Sequence, residues 1–293
     1  MKLTTTDAFY VVDLDGAERA AGIVRWAKKV LVDGATNLAR QLTYSYASLG
    51  LQVSGASAGI NSDPDGRAAA IDAFVTEVAP LPVRFDAGKG VTADELTGLT
   101  ATDDRSTQRG ALHDILLAVS LSASATAALG SLDGKSIALE PLGDATDVVS
   151  GVFTSAGATV TLIEVGQIDA TADILAVGSK VGLLDHHNLA SVRAGTILPT
   201  GPLPITARGL ATAARAGVTV LPDFITIAGP LLAQWPEADA TPDSLRAGVD
   251  TAVTGAIRDV ADHPDGIFLG AAQRAEEFLL TWRDALPLAR PIA

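Results

Sequence analysis

The chain has 293 residues, 48% of them hydrophobic, and a formal net charge of −13 at pH 7. This length allows one large domain or two ordinary ones with sizeable cores. The acidic balance argues against binding to nucleic acid or to a membrane, because both need clustered lysine and arginine. The absence of cysteine excludes disulfides and thiolate chemistry. No apolar segment of signal-peptide length opens the chain, and we expect a cytoplasmic protein.

The first third of the chain predicts a strand, a helix and a run of small residues. The strand covers residues 7–14 and ends at the turn signal Asp15-Gly16. The helix covers residues 35–48, where apolar side chains follow helical spacing. Residues 54–59 are all serine, glycine or alanine, so the backbone approaches either a ligand or another helix there.

A second helix is predicted over residues 67–77 and a short strand over 81–85. Asp86 follows this strand and has two interpretations, as an acid–base group or as a cap of the following turn. Lys89 is the nearest cation on the same loop, and it is either solvated or able to reach the site around Asp86. Residues 106–129 predict a long apolar helix that leads into a second domain.

Residues 134–164 predict a strand, a tight turn, a helix and a second strand, which is a βαβ unit. Its glycine fingerprint is altered, because the three glycine positions of G-x-G-x-x-G read Pro141, Gly143 and Thr146. Asp144 places negative charge where a helix N-terminus would bind a pyrophosphate. Glu164, near the end of the second strand, stands where an acid binds the ribose of NAD, although glutamates are common at strand ends.

The rest of the chain continues with strands and helices. A strand over 172–177 follows without an intervening helix, and residues 195–222 repeat strand, helix, strand. Two amphipathic helices cover residues 244–261 and 267–286. The adjacent His186 and His187 are interpreted as surface residues and not as a metal site, because neighbours on a helix point about 100° apart.

The order of several residues resembles the substrate-site signature of the glutamate/leucine/phenylalanine/valine dehydrogenase family. The matching residues are Thr43-Tyr44, Gly50-Leu51, the small-residue run, Ile60 and Asp63-Pro64. The resemblance implies two α/β domains. A substrate domain covers residues 1–120 with C-terminal helices 240–293 packing back on it, and a reduced Rossmann-like domain covers residues 121–239.

The resemblance also implies roles for particular positions. The lysine that pairs with the substrate carboxylate falls on Ser45, and the catalytic lysine falls on Ser57. Asp86 matches the proton-shuttle aspartate, Thr107 matches a threonine near the nicotinamide, and Ile227 replaces an expected asparagine. The family uses NAD, but the altered glycine loop argues against NAD here; no metal is implied.

Three functions follow. The first is a non-catalytic or repurposed relative that binds an amino-acid-like ligand, as a homodimer or in complex with a related dehydrogenase. The second is an NAD-dependent oxidoreductase acting on the CH–NH₂ group of an amino acid or a related amine or imine. The third is a different acid–base reaction that uses Asp86. A serine nucleophile is not supported, because no histidine base is evident.

Overall fold

The computed structural model describes all residues, Met1–Ala293. The chain divides into two units. The first unit contains Met1–Asp104 and Trp282–Pro291, and the second contains Arg105–Thr281 and Ile292–Ala293. Both units combine helices with a β-sheet, which confirms the predicted α/β fold class.

The first unit is built on a four-stranded sheet with the order β1-β3-β2-β4. Its elements are β1 (Ala8–Val12), β2 (Ala20–Ala27), α1 (Val32–Ser48), β3 (Ser54–Asn61), α2 (Arg67–Val78) and β4 (Arg84–Ala87). Strands β2, β3 and β4 are parallel, and β1 is antiparallel to β3. Helix α2 supplies Ile71 and Phe74 to the core on one face of the sheet, while α1 packs against β3 and β1.

The small-residue run of the sequence is strand β3, which is paired on both sides and buried along almost its whole length. Serine, glycine and alanine have little intrinsic preference for strands, so tertiary packing determines this conformation. The run allows close approach of a helix: a Cβ atom on Gly55 would lie 1.9 Å from the carbonyl oxygen of Ala39 in α1. The sequence left open whether this backbone approaches a ligand or another helix. At Gly55 the structure shows that the partner is helix α1.

The second unit is built on a five-stranded parallel sheet with the order β6-β5-β7-β8-β9. Its strands are β5 (Ser136–Leu139), β6 (Thr159–Leu162), β7 (Ile174–Val177), β8 (Thr196–Pro199) and β9 (Thr219–Val220). Its helices are α3 (Arg109–Leu129), α4 (Thr146–Ser155), α5 (Ala207–Arg215), α6 (Asp223–Thr226), α7 (Pro242–Arg258) and α8 (Ile267–Leu279). This is a doubly wound sheet of Rossmann type.

The predicted βαβ unit is present as β5, α4 and β6. Residues 163–173, between β6 and β7, contain neither a helix nor a strand. The chain therefore passes from β6, at the edge of the sheet, to β7, on the other side of β5, through irregular backbone. The reduced form of the Rossmann fold that the sequence predicts is confirmed.

Helix α3 has the length and hydropathy of a membrane-spanning helix, by composition alone. Its Leu116, Leu121 and Ala125 are fully buried, and it packs against α4 and α7. These contacts explain its apolar character as that of the central helix of the second unit.

The C-terminal helices are assigned to the second unit. Residues 240–293 were expected to pack back on the first domain, which stays a prediction; the division of the chain places α7 and α8 in the second unit. Val249, Val253 and Ile257 of α7 are completely buried, and α7 packs along α3. Of residues 240–293, only Trp282–Pro291 belongs to the first unit. There the Arg40 side chain donates a hydrogen bond to the Ala289 carbonyl at 3.2 Å.

Candidate functional site

Each unit carries its own set of candidate residues. In the first unit, Ser45 lies on α1 and Ser57 lies on β3, and both are 1% exposed. The Ser45 hydroxyl accepts a hydrogen bond from the Gln41 amide nitrogen at 3.2 Å. The Ser57 hydroxyl is buried and has no hydrogen-bond partner. The two positions where the resemblance expects lysine therefore carry neutral, buried side chains.

Sheet pairing places Ser57 and Asp86 in one row. Ile23 of β2 pairs with Ser57 of β3 on one side and with Asp86 of β4 on the other. Because directly paired residues project from the same face, these three side chains lie side by side. Two strand spacings put the Cα atoms of Ser57 and Asp86 roughly 9 to 10 Å apart. Ile23, which is 41% exposed, fills the position between them.

Two further candidates, Lys89 and Thr107, lie outside the row formed by Ser57, Ile23 and Asp86. Lys89 is exposed in the turn after β4, and its carbonyl oxygen accepts a hydrogen bond from the Trp26 amide at 3.0 Å. Thr107 is exposed and precedes α3 by two residues in the second unit.

Strand β2 also carries a charged side chain that the sequence reading missed. Arg25 projects from the same face as Ile23, two residues further along the strand, and it pairs with Gly59 of β3. Its Nε and Nη2 atoms are buried and have no hydrogen-bond partner. Burial lowers the pKa of the Arg25 guanidinium, which still remains charged at neutral pH.

In the second unit, the altered glycine loop connects β5 to α4. Pro141 is exposed, and Gly143 adopts a positive φ of 62°, a conformation that favours glycine. Thr146 closes the loop: its hydroxyl accepts from the Leu142 amide at 2.8 Å and donates to the Gly143 carbonyl at 2.7 Å. Asp144 is exposed at the start of the short 3₁₀ turn that precedes α4. The loop therefore pairs its Leu142 amide with its own Thr146 hydroxyl and exposes the Asp144 carboxylate to solvent.

A buried carboxylate lies at the ends of three neighbouring strands. Glu140 follows β5 directly and is 1% exposed. Its oxygens accept hydrogen bonds from the amides of Gly166 at 2.6 Å, Gly178 at 2.8 Å and Ser179 at 2.9 Å, and from the Ser179 hydroxyl at 2.5 Å. Gly178 and Ser179 follow β7, and Gly166 lies beyond β6.

The ionisation of Glu140 reflects two opposing effects. Burial raises the pKa of the carboxyl group, but the hydrogen bonds from Ser179, Gly178 and Gly166 together lower it below its usual value. The net direction is downward, so Glu140 is a carboxylate at neutral pH. In a doubly wound sheet, the crevice at this reversal of strand order is where ligands bind. Here the side chain of the protein itself occupies the backbone donors of that crevice.

The neighbouring strand ends are also closely packed. A Cβ atom on Gly178, after β7, would lie 2.1 Å from the amide nitrogen of Gly201, after β8. The Thr200 hydroxyl beside them is buried without a hydrogen-bond partner. Only glycine at these positions lets the two backbones approach, which narrows this part of the crevice.

The remaining candidates of the second unit make none of the four hydrogen bonds to Glu140. Glu164 is exposed in the turn after β6, and Ile227 is partly buried against the core. Asp185 caps a turn by accepting from the amides of His187 and Asn188, and these hydrogen bonds lower its pKa. His186 and His187 are exposed. No group of three or more histidine, aspartate or glutamate side chains is placed to hold a metal ion.

Comparison with solved structures finds the same fold in several amino-acid dehydrogenases. The similar structures include L-tryptophan dehydrogenase from Nostoc punctiforme, with 16% identity, a TM-score of 0.73 and coverage of 96% of this chain and 94% of that chain. The hetero-hexameric glutamate dehydrogenase from Thermus thermophilus, in its Leu-bound form, has 18% identity and a TM-score of 0.72, with 92% and 83% covered.

Glutamate dehydrogenase from Plasmodium falciparum is also similar, with 11% identity, a TM-score of 0.73 and coverage of 95% of this chain and 83% of that chain. No protein-family model matches the chain, and no curated protein sequence matches it either. At these identities the likeness establishes the fold, and the resemblance that the sequence predicts is confirmed at that level.

The residues that the sequence reading missed had weak signals. Arg25 lies on β2, a strand that was not predicted, although Ile23, Val24 and Trp26 are typical strand residues. Glu140 stands at the end of a predicted strand, which is the edge where ligand contacts gather in such folds. Its hydrogen bonds come from segments 26 to 39 residues away along the chain, and spacing alone does not indicate them.

Proposed function

We propose that this protein is a non-catalytic or repurposed relative of the amino-acid dehydrogenases, which binds a small molecule without using a dinucleotide. The observation that carries the proposal is the buried Glu140 carboxylate at the reversal point of the parallel sheet. A dinucleotide places its pyrophosphate beside these strand ends and the helix that follows the first strand. Glu140 already occupies four hydrogen-bond donors there.

Electrostatics supports the same proposal. A pyrophosphate brought close to Glu140 would meet a buried negative charge in a medium of low dielectric constant, where repulsion is strong. Asp144 and Asp147 add two carboxylates to the first turns leading into α4. An anion at this helix N-terminus would therefore replace favourable helix-dipole contacts that the protein already makes with its own side chains.

The first unit supports the loss of amine chemistry. Hydride transfer to an iminium carbon, as the resemblance implies it, requires cationic side chains where Ser45 and Ser57 stand. Both serines are buried and neutral. Loss of one acid–base group costs about 10²- to 10⁴-fold in rate.

Two measurements test the proposal together. The protein is mixed with NAD⁺ or NADP⁺ and a panel of L-amino acids, and reduced cofactor is followed by absorbance. Its melting temperature is also measured with millimolar NADH and NADPH, since a ligand that binds the folded state raises it. We expect no turnover and no shift. Amino-acid-dependent reduction of either cofactor would overturn the proposal.

The double variant Ser45→Lys/Ser57→Lys tests whether the two absent lysines alone account for a lack of dehydrogenase activity, or whether cofactor binding is also absent. We expect a folded double variant to remain inactive, because the crevice around Glu140 is unchanged. Its fold is checked by circular dichroism, since lysine at positions that are 1% exposed is costly. Activity gained in this variant would show that the nucleotide unit still binds cofactor, contrary to the proposal.

Association with further subunits is a second part of the proposal. The similar Thermus thermophilus structure is a hetero-hexamer, and strand β1 is an edge strand here. Beside it, Phe9, Val30 and Leu31 line a surface pocket of about 560 Å³, and Leu31 is 61% exposed. The outer edge of β1 is partly paired with residues Met1–Leu3, so the exposed apolar side chains around the pocket, and not a free strand edge, favour contact with another chain. Sedimentation velocity, alone and with a related active dehydrogenase, tests it; a monomer in both samples would contradict it.

A further inference from the structure

Strand β6 lies at the edge of the parallel sheet of the second unit and pairs only with β5. Residues 163–173, which follow β6, contain neither a helix nor a strand, so no element continues the sheet beyond it. Thr159, Thr161 and Leu162 are exposed, and Leu162 is 55% exposed. The backbone groups along such an edge can pair with a strand of another chain.

The register of β6 shows which of its backbone groups point outwards. The amides of Thr159 and Ile163 donate to carbonyl oxygens on the β5 side at 2.8 and 3.0 Å, so these two residues face β5. Because the direction of the backbone groups alternates along a strand, the N–H and C=O groups of Val160 and Leu162 point away from β5. No backbone hydrogen bond joins these groups to another segment of the chain. Strand β6 therefore offers two donors and two acceptors on its outer edge.

The sequence around this edge lacks the features that keep exposed strands apart. Natural proteins protect such edges with charged side chains, above all lysine, or with proline. Residues 148–163 contain no charged residue and no proline, although the chain has 21 basic and 34 acidic residues. The net charge of −13 makes two copies of the chain repel each other. An uncharged stretch is where two such copies can approach with the least repulsion.

We propose that two copies of this chain pair antiparallel through β6, about a two-fold axis at Thr161, so that their five-stranded sheets form one continuous sheet. Val160 of each copy then lies opposite Leu162 of the other, and each of these two pairs exchanges two backbone hydrogen bonds. The same surface is used by both copies, as in other two-fold interfaces. This contact goes beyond the proposed function, because it belongs to the second unit and requires neither a ligand nor the pocket of the first unit.

The side chains suit this register. Val160 and Leu162 project on the face of the sheet that α4 covers, so Val160 of one copy covers the exposed side chain of Leu162 in the other. On the opposite face Thr161 meets Thr161 of the second copy, which is a favourable cross-strand pair. Glu164 lies opposite Ala158 in this register. The flanking carboxylates of the two copies therefore do not face each other.

Helix α4 fits the same arrangement. It connects β5 to β6 and packs over these strands, so two strand spacings, roughly 10 Å, would separate it from α4 of the second copy. This is the normal distance between packed helices. The exposed Gly151, Thr154 and Ser155 of α4 are small, and the two hydroxyls donate to carbonyl oxygens of their own helix at 2.8 Å. A second helix can therefore approach without leaving these hydroxyls unpaired.

Cysteine cross-linking of the full chain tests the register directly, because the chain contains no cysteine. Thr161→Cys places two thiols across the two-fold axis at a Cα separation of about 4.5 Å, which suits a disulfide. Thr159→Cys is the matched control, since it changes an exposed threonine on the same face of β6 whose two copies would lie about 14 Å apart. After oxidation with copper phenanthroline, we expect a covalent dimer of Thr161→Cys and a monomer of Thr159→Cys on non-reducing gels.

Sedimentation velocity over a wide range of protein concentration measures the strength of the contact. We expect a monomer–dimer equilibrium for the unmodified protein. Leu162→Lys should weaken the dimer at least about tenfold, because the lysine brings a charge into the pair with Val160. Val181→Lys changes another exposed apolar residue of the second unit, 46% exposed, and should dimerise like the unmodified protein. Circular dichroism checks that each variant is folded.

The proposal is overturned if Thr161→Cys and Thr159→Cys cross-link equally, if neither cross-links, or if Leu162→Lys dimerises as tightly as the unmodified protein. A dimer that forms without the Thr161→Cys cross-link would overturn the β6 contact and leave association through the pocket of the first unit standing. Nucleotide is absent from both experiments. Binding of NADH by a protein that shows the Thr161→Cys cross-link would overturn the proposed function alone.

Discussion

At the residue scale, the buried carboxylate of Glu140 and the partly buried guanidinium of Arg25 differ in how their polar atoms are paired. Glu140 accepts four hydrogen bonds from groups at the ends of the parallel sheet, whereas Nε and Nη2 of Arg25 donate to no acceptor. A satisfied buried charge contributes to the stability of the fold, and an unsatisfied one reduces it. We therefore expect Glu140 to stabilise the fold and the unpaired donors of Arg25 to destabilise it.

The substitution Glu140→Gln tests the structural role. The amide nitrogen of glutamine would face N–H donors in place of a carboxylate oxygen, so we expect the free energy of unfolding at pH 7 to fall by about 1–3 kcal/mol. Urea denaturation measures it. Glu237→Gln, which changes an exposed glutamate, is the control and should have little effect.

The difference in stability between the unmodified protein and Glu140→Gln should depend on pH. Because the folded-state pKa of Glu140 is lowered from about 4.5, its contribution is fully present above that pH and is lost as pH falls through the folded value. The stability difference between the unmodified protein and Glu140→Gln should be largest above about pH 5 and shrink as the pH falls from there through the lowered folded-state pKa. A difference that stays constant over this range would contradict the assignment.

The substitution Arg25→Met tests whether the unpaired Arg25 guanidinium lowers the stability of the folded protein. Methionine keeps an unbranched apolar stem and removes the unpaired guanidinium, so we expect the protein to gain about 1 kcal/mol. Thermal and urea denaturation measure the change. A loss of stability of that size or larger would mean that Arg25 holds the fold together.

At the scale of elements, the contact between α1 and β3 organises the first unit. The Gly55 amide donates to the Thr43 hydroxyl at 2.9 Å, and Thr43 in turn donates to the Ala39 carbonyl at 3.2 Å. This approach is closer than side chains normally allow, and the small residues of β3 make it possible. It also fixes Ser57 two residues further along the same strand.

Gly55→Ala should therefore destabilise the first unit strongly. The added Cβ would meet the Ala39 carbonyl and the Thr43 amide at 1.9 and 2.6 Å, and overpacking against backbone costs about 3 kcal/mol. Gly34→Ala is the matched control, because nothing lies within 4 Å of its Cβ position in α1; alanine there should stabilise the helix by up to about 1 kcal/mol. Equal effects of the two substitutions in urea denaturation would contradict this packing.

The sequence predicts elements with strong local signals and misses those that depend on distant contacts. Periodicity and turn residues predict the βαβ unit and a direct connection to β7 without a helix. The structure shows both features. Strand β3 consists of residues with little strand preference, and only its pairing with β1 and β2 makes it a strand. The hydrogen bonds of Glu140 and the unpaired donors of Arg25 depend on tertiary structure, which local sequence patterns do not contain.

At the scale of the whole molecule, the chain shares the fold of solved amino-acid dehydrogenases over nearly its full length. Positions 45 and 57 of its first unit are buried serines, and an internal carboxylate, Glu140, lies at the strand ends of its second unit. Fold and ligand chemistry are separable, because they rest on different residues.

Calorimetric titration of NADH into the full chain at neutral pH tests the central claim most directly, since it measures binding without requiring turnover. We expect no saturable heat up to millimolar NADH, because the Glu140 carboxylate already takes hydrogen-bond donors of the crevice and makes the crevice negatively charged. Saturable one-to-one binding of NADH with a micromolar dissociation constant would contradict it.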